Sequence, residues 1–281
     1  MKKCLIVVNT KKKDSQTYGK MISEYLSTKG IFSSFYSFDG FSEDDPFLGV
    51  DFVVTLGGDG TVLFAARGCV SKKIPVFAVN FGEFGFIASV QKDEWKSELD
   101  RFLDGKSIVE ERSMLQAALL TGDEKRQFSS SGLNDVVICA KSAASTISLE
   151  VTYNAIPLGR FKSDGVIVST ATGSTAYSAS AGGPIIDPEM DAFVLTPINS
   201  FSLSARPLVL SPKGELRVRV LPSRQSNVII IVDGQHPFDL REGDVVKVRR
   251  ISDRFRLVGG STEGFYDALR SKLNWSGGPH A

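Results

Sequence analysis

VVTLGGDGTVLF, residues 53–64, is a run of apolar residues, a glycine-rich loop and a second apolar segment. The first run is short and rich in valine, which predicts a buried β-strand, and VLFAAR after the loop predicts a short helix. GGDGT is neither a Walker A loop, since no G-K-[ST] follows, nor a G-x-G-x-x-G loop. Its glycines let a ligand approach the backbone, and the amides at the helix start suit a phosphate. The stretch therefore predicts a strand, a phosphate-binding turn and a helix.

The same alternation of strands and helices continues on both sides, across about the first 105 residues. LIVVN, IFSSFYSF and PVFAVN have the pattern of strands. Residues 15–28 carry apolar side chains at helical spacing, and DEWKSELDRFLDG has the pattern of an amphipathic helix. This alternation predicts an α/β domain over residues 1–105, built on a Rossmann-like parallel sheet.

Residues 106–281 have a different pattern, in which short β-rich runs are separated by turn residues. LQAALLTG, ISLEVTYN, ELRVRV and NVIIIVDG are examples, and the pairs Asn154-Ala155 and Asp233-Gly234 resemble hairpin turns. We expect a second domain here, an all-β sandwich with a helical segment near the C-terminus.

The composition excludes several classes of function. The formal net charge is +1, so the chain lacks the basic surplus that nucleic acid or an anionic membrane attracts. No apolar run approaches the roughly 18 residues of a membrane span. The three cysteines are widely spaced without a C-x-x-C pair, which is typical of reduced thiols in the cytosol. The two histidines do not favour a zinc site or a Ser-His-Asp triad. We expect a soluble, cytoplasmic protein.

Asp59 is the unusual residue of the glycine loop, because a carboxylate repels phosphate. It could simply cap the following helix. Alternatively, Mg²⁺ could bridge the carboxylate and a phosphate, or Asp59 could accept the proton of a hydroxyl that attacks the phosphate. The residues alone leave these three interpretations open.

Three further stretches are candidate ligand contacts. SDGVIVSTATGSTAYSASAGGPI, residues 163–185, joins a strand to a segment of small and hydroxyl-bearing residues, which suits either close packing or a polar ligand. Asn134-Asp135 opens an apolar strand, where it could form a turn or bind a ribose diol. NFGEFGF, residues 80–86, follows a predicted strand, and its aromatic rings could be core or stacking residues.

Taken together, these motifs resemble the bacterial NAD kinase family. GGDGT at 57–61, the pair at 134–135 and DGVIVSTATGSTAYSASAGGPI at 164–185 match family motifs in the right order. Four further stretches extend the resemblance over nearly the whole chain: NFGEFGF, LTPINSFSLSARPLVL, VDGQ and KLNW. GGDGT alone is shared with diacylglycerol and sphingosine kinases, whereas its combination with TGSTAYS is highly specific.

The resemblance implies an ATP-dependent kinase that transfers the γ-phosphate of ATP to the 2′-hydroxyl of the adenosine ribose of NAD, producing NADP and ADP. It also implies a divalent metal, Mg²⁺, for which we assign no ligands, and a homodimer or homotetramer. Asp59 would be the catalytic proton acceptor. The implied NAD-binding residues are Asp59, Gly60, Phe86, Asn134, Asp135, Lys162, Asp164, Thr175, Ala176, Tyr177, Ser178, Ala179, Ser180 and Gln235. The phosphates of ATP would be bound by Gly57, Gly58, Gly60 and Thr61.

Four positions depart from the family's usual pattern. Phe84 replaces a usual leucine, and Asn274 in KLNW replaces a frequent histidine. Ala171 replaces a common proline, and Lys162 replaces a common arginine, whose planar guanidinium a lysine cannot reproduce. Two rival functions are a lipid kinase, which would need an apolar acceptor groove, and a non-catalytic dinucleotide-binding regulator, which would not need Asp59.

Overall fold

The computed structural model of the chain describes residues 1–40, 42, 44–82, 85–88, 90–120, 127–142, 145–223, 227–260, 262–273 and 275. It divides into two compact units, Met1–Arg112 with Asp253–Ala281, and Ser113–Ser252. The helices are α1 (Ser15–Thr28), α2 (Asp59–Cys69), α3 (Trp95–Leu103), α4 (Tyr177–Ser180) and α5 (Thr262–Leu273), with 3₁₀ turns at Val70–Lys72 and Thr172–Thr175.

The first nine strands are β1 (Lys3–Asn9), β2 (Phe32–Phe38), β3 (Phe52–Gly57), β4 (Val76–Asn80), β5 (Val109–Arg112), β6 (Leu115–Leu120), β7 (Ser129–Gly132), β8 (Asp135–Ala140) and β9 (Ile147–Tyr153). The remaining strands are β10 (Ile156–Ser163), β11 (Gly165–Thr170), β12 (Phe193–Ile198), β13 (Leu208–Leu210), β14 (Leu216–Leu221), β15 (Val228–Val232), β16 (Phe238–Leu240), β17 (Val245–Arg250) and β18 (Phe255–Val258).

The first unit is the α/β domain that the alternating pattern predicts. Its sheet has the order β2-β1-β3-β4-β18-β5, and all pairs are parallel except β18 with β5. Every residue of β3 and β4 is buried, as expected for central parallel strands covered on both faces. The chain reverses direction across the sheet between β1 and β3, and ligands bind at such switch points, outside the carboxyl ends of the strands. The GGDGT loop follows β3 at this point.

The predicted boundary between residues 105 and 106 does not coincide with the compact units. β5 and β18 both pair in the first sheet, so residues up to Arg112 and from Asp253 onward belong to the first unit. β18 lies about 180 residues after its partner β4 in the sequence, and a local pattern carries no information about such distant pairing.

The second unit is the predicted β-sandwich. Its two six-stranded sheets have the orders β10-β9-β14-β17-β6-β7 and β13-β12-β11-β8-β15-β16, and all neighbouring strands are antiparallel. Alternate apolar residues of both sheets, such as Leu149, Val166 and Val218, form one buried core. The β8–β11 sheet also buries Val137, Ile167 and Ile198 on its other face, against which Ala181 packs.

Among the described helices, none has the combination of length and apolar character that is required to cross a membrane.

Candidate functional site

The glycine loop is shaped by two different kinds of glycine. A Cβ atom on Gly57 would overlap the Thr61 side chain, so glycine is required there by packing. Gly58 and Gly60 face open space, because a Cβ atom on either would meet no heavy atom within 4 Å beyond its chain neighbours. The loop therefore has a close-packed inner side and an open outer side, and a ligand can approach the backbone only on the outer side.

Thr61 belongs to the inner side of this loop. It is fully buried, Asn9 Nδ2 donates to its Oγ1 at 3.1 Å, and its own N–H donates to the Gly58 carbonyl at 2.9 Å. These bonds tie the start of α2 to the end of β1 and use the polar groups of Thr61 for the loop itself.

Asp59 does not cap α2. The residue before the helix is Gly58, and the Asp59 carboxylate makes no capping bond. Instead, it accepts three consecutive backbone N–H groups from the loop after β4: Phe86 N–H donates to Oδ2 at 3.1 Å, and Ile87 and Ala88 donate to Oδ1 at 3.3 and 3.1 Å. The capping interpretation is wrong, because the carboxylate is turned toward the neighbouring loop.

One acceptor position of Asp59 stays available. A carboxylate has about four acceptor positions, two on each oxygen. Among the described residues, Oδ1 receives two donors and Oδ2 receives one, so Oδ2 can still accept a further hydrogen bond. The three amides hold the carboxylate in one orientation, which is the requirement for a group that takes a proton from a defined position.

Phe86 contributes its backbone and its ring to different neighbours. Its N–H donates to Asp59, while its ring lies 6.1 Å from the ring of Phe265 in α5, with Lys272 Nζ 5.2 Å above it. Glu83 and Phe84 of the NFGEFGF stretch lie outside the described residues.

The described residues contain no cluster of three or more side chains that could hold a metal ion on their own. Mg²⁺ in kinases is bound by one or two carboxylates together with the phosphates of the nucleotide. A metal that arrives bound to a nucleotide would need no such cluster.

In the second unit, the Asp233 carboxylate accepts hydrogen bonds from the backbone of Asn134 and Asp135. Leu133 N–H donates to its Oδ2 at 2.9 Å, and the N–H groups of Asn134 and Asp135 donate to its Oδ1 at 2.8 and 3.2 Å. The Asp233 carbonyl accepts a bond from Gln235 Nε2 at 3.3 Å. Three of the predicted residues, Asn134, Asp135 and Gln235, are therefore brought together around Asp233.

This cluster presents unused acceptors. Asn134 Oδ1 and Gln235 Oε1 are buried and have no hydrogen-bond partner among the described residues. A buried oxygen without a donor costs free energy, which a ligand hydroxyl or amide donor would recover. Two such oxygens beside a carboxylate favour a ligand that offers several hydroxyl groups.

Asp135 is buried, and burial together with the nearby charge of Asp233 raises the pKa of its carboxyl to about 7. Asp135 therefore changes its protonation state near neutral pH, unlike an exposed aspartate. A perturbed carboxyl next to unused acceptors is typical of a binding site.

The small-residue segment packs directly on this cluster. A Cβ on Gly173 would overlap the Asn134 backbone, and Thr170 Oγ1 donates to the Leu133 carbonyl at 2.6 Å. Ser178 is an interior residue whose hydroxyl bonds to Thr196 Oγ1 at 2.9 Å, whereas the side chain of Tyr177 is 47% exposed. The remaining predicted residues of this segment, none of them buried, are Thr175, Ala176, Ala179 and Ser180.

Asp164 and Tyr177 belong to a second group of residues, at the other end of β11. They line a cavity of about 200 Å³ together with Cys139, Lys141, Ser145 and Asn199, among others. Asn199, which the sequence did not single out, has a positive φ of 45° and donates from Nδ2 to Asp164 Oδ2 at 2.9 Å. The predicted Lys162 places its Nζ 5.2 Å from the ring centroid of Phe201.

The candidate residues of the second unit lie at the two ends of β11. Asn134 and Asp135 lie at the end of β11 where Ser169 pairs with Asp135, and Asp164 lies at its start, where Gly165 pairs with Cys139. A six-residue strand spans about 17 Å. A site of this length suits an elongated ligand such as a dinucleotide.

Comparisons with known proteins identify the family of this chain. The family model of the ATP-NAD kinase N-terminal domain matches residues 44–107, and that of the ATP-NAD kinase C-terminal domain matches residues 133–259. The chain is 46% identical to the NAD kinase of Treponema denticola, over 99% of this chain and 98% of that protein. It is 40% identical to the NAD kinase of Geobacter metallireducens, over 83% of this chain and 82% of that protein.

Two solved structures share the fold. A yeast NADH kinase crystallised with NADH has a TM-score of 0.82 at 24% identity, covering 98% of this chain and 88% of its own. An Archaeoglobus fulgidus NAD kinase crystallised with ATP has a TM-score of 0.76 at 23% identity, covering 96% and 97%. With both domain families matched in order and relatives that are 40% and 46% identical over most of their length, the chain belongs to the NAD kinase family and is an ATP-dependent phosphotransferase.

Proposed function

We propose that this protein transfers the γ-phosphoryl group of ATP to the 2′-hydroxyl of the adenosine ribose of NAD, producing NADP and ADP. The observation that carries the proposal is the state of Asp59: three amides orient its carboxylate, and Oδ2 retains one acceptor position. In the sequence, Asp59 stands between Gly58 and Gly60, which face open space. A carboxylate in this state suits the acceptance of a proton from a hydroxyl next to a phosphate.

In the proposed reaction, the 2′-hydroxyl donates a hydrogen bond to Asp59 Oδ2. The oxygen of the 2′-hydroxyl attacks the γ-phosphorus. The bond between the γ-phosphorus and the β–γ bridging oxygen breaks, and ADP leaves with that oxygen. The hydroxyl proton passes to Asp59. The backbone of Gly57, Gly58 and Gly60 and the start of α2 bind the phosphates, as helix N-termini do, and Thr61 supports the loop from its buried side.

The second unit supplies most of the proposed NAD contacts. The side-chain oxygens of Asn134, Asp135 and Gln235 accept hydrogen bonds from ribose hydroxyls. The unpartnered oxygens of Asn134 and Gln235 support this role. Asp164 and Tyr177 bind further along the dinucleotide, in the cavity at the start of β11. We assign the remaining contacts to Phe86, Lys162 and the segment Thr175–Ser180. Ser178 then acts through its backbone, since its hydroxyl is engaged with Thr196.

The donor in this proposal is MgATP, with the metal arriving as part of the substrate. We also propose a homodimer or homotetramer. The edge strand β13 exposes Leu208 and Val209, and the loop before it exposes Phe201 and Leu203, which supports a contact between copies of the chain. A cytoplasmic location is supported by the three free cysteines.

The test is direct. Purified protein is incubated with MgATP and NAD, and NADP is measured with an NADP-specific dehydrogenase. We expect NADP to form in proportion to ADP. Phosphorylation of sphingosine or diacylglycerol in place of NAD would instead support a lipid kinase. NAD binding without turnover, under any metal or donor condition, would support a regulator and contradict the proposal.

A further inference from the structure

Asp233 is a buried aspartate in a tight turn after β15, and it is 6% exposed. Its φ of 49° and the φ of 66° at Gly234 form the turn that the pair Asp-Gly predicts. A turn requires this backbone shape but does not require the carboxylate to be used elsewhere. In this structure, the carboxylate accepts three N–H groups from residues 133–135, about 100 positions away in sequence.

These three bonds lie at the end of the pairing between β15 and β8. β15 and β8 pair as far as Val232 with Val136, and the Asp233 N–H donates to the Asp135 carbonyl at 3.0 Å. Among the described residues, the ladder between these two strands ends there, and β15 offers no further carbonyl to the N–H groups of Leu133 and Asn134. The Asp233 carboxylate takes the place of the missing strand and fixes the backbone of these residues.

One of the fixed residues, Asn134, has an unused acceptor, and so does Gln235, which bonds to the Asp233 carbonyl. Asn134 Oδ1 and Gln235 Oε1 both lack partners among the described residues, and both belong to residues that bond to Asp233. A ligand that brings hydrogen-bond donors would satisfy both of these buried oxygens. The arrangement is that of a site whose acceptors are oriented before the ligand binds.

We propose that Asp233 is a positioning residue for NAD: its carboxylate holds residues 133–135 so that the side-chain oxygens of Asn134 and Asp135 face the ribose hydroxyls. The proposal rests on the proposed function, since it acts through residues assigned there to NAD. Asp233 does not contact the reacting atoms in this scheme. It also places a negative charge beside Asp135, which gives the role a signature that a structural aspartate lacks.

The test compares Asp233→Asn with Asp244→Asn. Asp244 is a matched control: it is also 6% exposed, lies in a turn of the same unit, and its carboxylate accepts the Arg241 N–H at 2.8 Å. Calorimetry measures the Kd for NAD, and steady-state kinetics measures the KM for ATP. We expect Asp233→Asn to raise the Kd for NAD by about tenfold, the loss of one charge-assisted hydrogen bond, while the KM for ATP changes less than twofold. Asp244→Asn should leave the Kd for NAD unchanged.

The pH dependence provides the second measurement. The charge of Asp233 contributes to the raised pKa of Asp135, after burial. In Asp233→Asn, the pH at which NAD affinity reaches half of its maximum should therefore fall below the wild-type midpoint near 7, and Asp244→Asn should keep the wild-type midpoint. An Asp233→Asn protein with wild-type NAD affinity and an unchanged midpoint would overturn the proposal.

Gly132→Ala provides a variant that keeps the carboxylate. A Cβ at residue 132 would lie 2.9 Å from Asp233 Oδ1 and 2.8 Å from Val232 Cγ1, so both must shift. We expect weaker NAD binding with an unchanged KM for ATP, and wild-type NAD affinity in this variant would count against the proposal. Because the Kd for NAD is measured without turnover, a failure of wild-type kinase activity is distinguishable from a failure of the positioning role.

Discussion

Gly85 lies against the carboxylate of Asp59 so closely that a Cβ atom at residue 85 would overlap it. The next three residues, 86–88, donate their N–H groups to the same carboxylate. The glycine loop after β3 and the loop after β4 are therefore fitted to each other through one side chain. This contact makes the position of the proposed proton acceptor dependent on a residue that is 26 positions away in sequence.

Gly85→Ala should consequently impair turnover without removing any reactive group. The added methyl displaces the carboxylate or the loop, and misplacement of a catalytic group by about 1 Å can cost about 100-fold in rate. We expect kcat to fall by about that factor in a folded protein. Gly82→Ala is the control in the same loop, since its Cβ would meet Lys12 Nζ at 3.4 Å and Asn80 Oδ1 at 3.5 Å, which are ordinary contacts. Equal kcat values for the two variants would contradict this account.

Asp59→Asn should reduce kcat by about 100- to 10,000-fold, the usual contribution of general acid–base catalysis. The Asn oxygen can still accept the Ile87 and Ala88 bonds, whereas its Nδ2 cannot accept the Phe86 N–H. With two of the three bonds kept, we expect the loop to stay in place and the Kd for NAD to change little. Rapid-quench measurement of NADP formation gives the chemical step. Asp104→Asn, at an exposed ion pair with Lys106 in the same unit, should retain wild-type activity. Near-normal turnover in Asp59→Asn would remove Asp59 from the role of proton acceptor.

Gly57→Ala should affect the stability of the protein, whereas Gly58→Ala should affect the binding of ATP. The Gly57 methyl would overlap the Thr61 side chain, so this variant should lose stability, by about 1–3 kcal/mol as for other overpacked interiors. The Gly58 methyl meets nothing and should leave the melting temperature nearly unchanged, but it obstructs the proposed approach of a phosphate and should raise the KM for ATP. Thermal unfolding and ATP titration separate the two. A normal KM for ATP in Gly58→Ala would argue against phosphate binding on the open side of the loop.

Asp135 should make the stability of the protein pH-dependent near neutrality. Its folded-state pKa of about 7 lies above the ordinary 3.8, so the native protein keeps a proton that the unfolded chain has already lost between these values. The free energy of unfolding should therefore fall as the pH rises from about 4 to 7, by up to about 4 kcal/mol. Urea unfolding at pH 5 and pH 8 should show the part of this loss that falls above pH 5, roughly two thirds of it, in the wild type and a smaller loss in Asp135→Asn. A pH-independent difference between the two proteins would contradict the raised pKa.

The same titration should affect ligand binding. An ionised carboxylate accepts two hydroxyl donors, whereas a protonated one has lost part of that capacity. NAD affinity should thus increase as the pH rises through about 7 and level off near pH 8. In Asp135→Asn, the affinity should be lower and should not follow the pH over this range, which calorimetry at several pH values can establish.

Much of the fold is readable in the local pattern of the sequence. The buried runs that become β1, β3 and β4 and the helical spacing that becomes α1 are local properties, because burial on both faces of a strand or on one face of a helix dictates their periodicity. The membership of β18 in the first sheet is not readable in this way, because its partners are distant in sequence. The role of Asp233 escapes the local pattern for a related reason: beside Gly234 it has the pattern of a turn residue, and nothing local indicates what its carboxylate binds.

The sequence by itself determined the succession of strands and helices, the change from an α/β to an all-β domain, and the motifs GGDGT, Asn134-Asp135 and TGSTAYS. These depend on side-chain periodicity and backbone preference, which act over a few residues. Only the tertiary structure decided which groups the carboxylates of Asp59 and Asp233 bind, because a carboxylate takes its partners from the backbone N–H groups that the fold leaves unpaired. Asp59 accepts hydrogen bonds from N–H groups of the loop after β4, and Asp233 accepts them from N–H groups at the start of β8. Both aspartates thereby fix residues of the candidate site, which their own sequence neighbourhood could not specify.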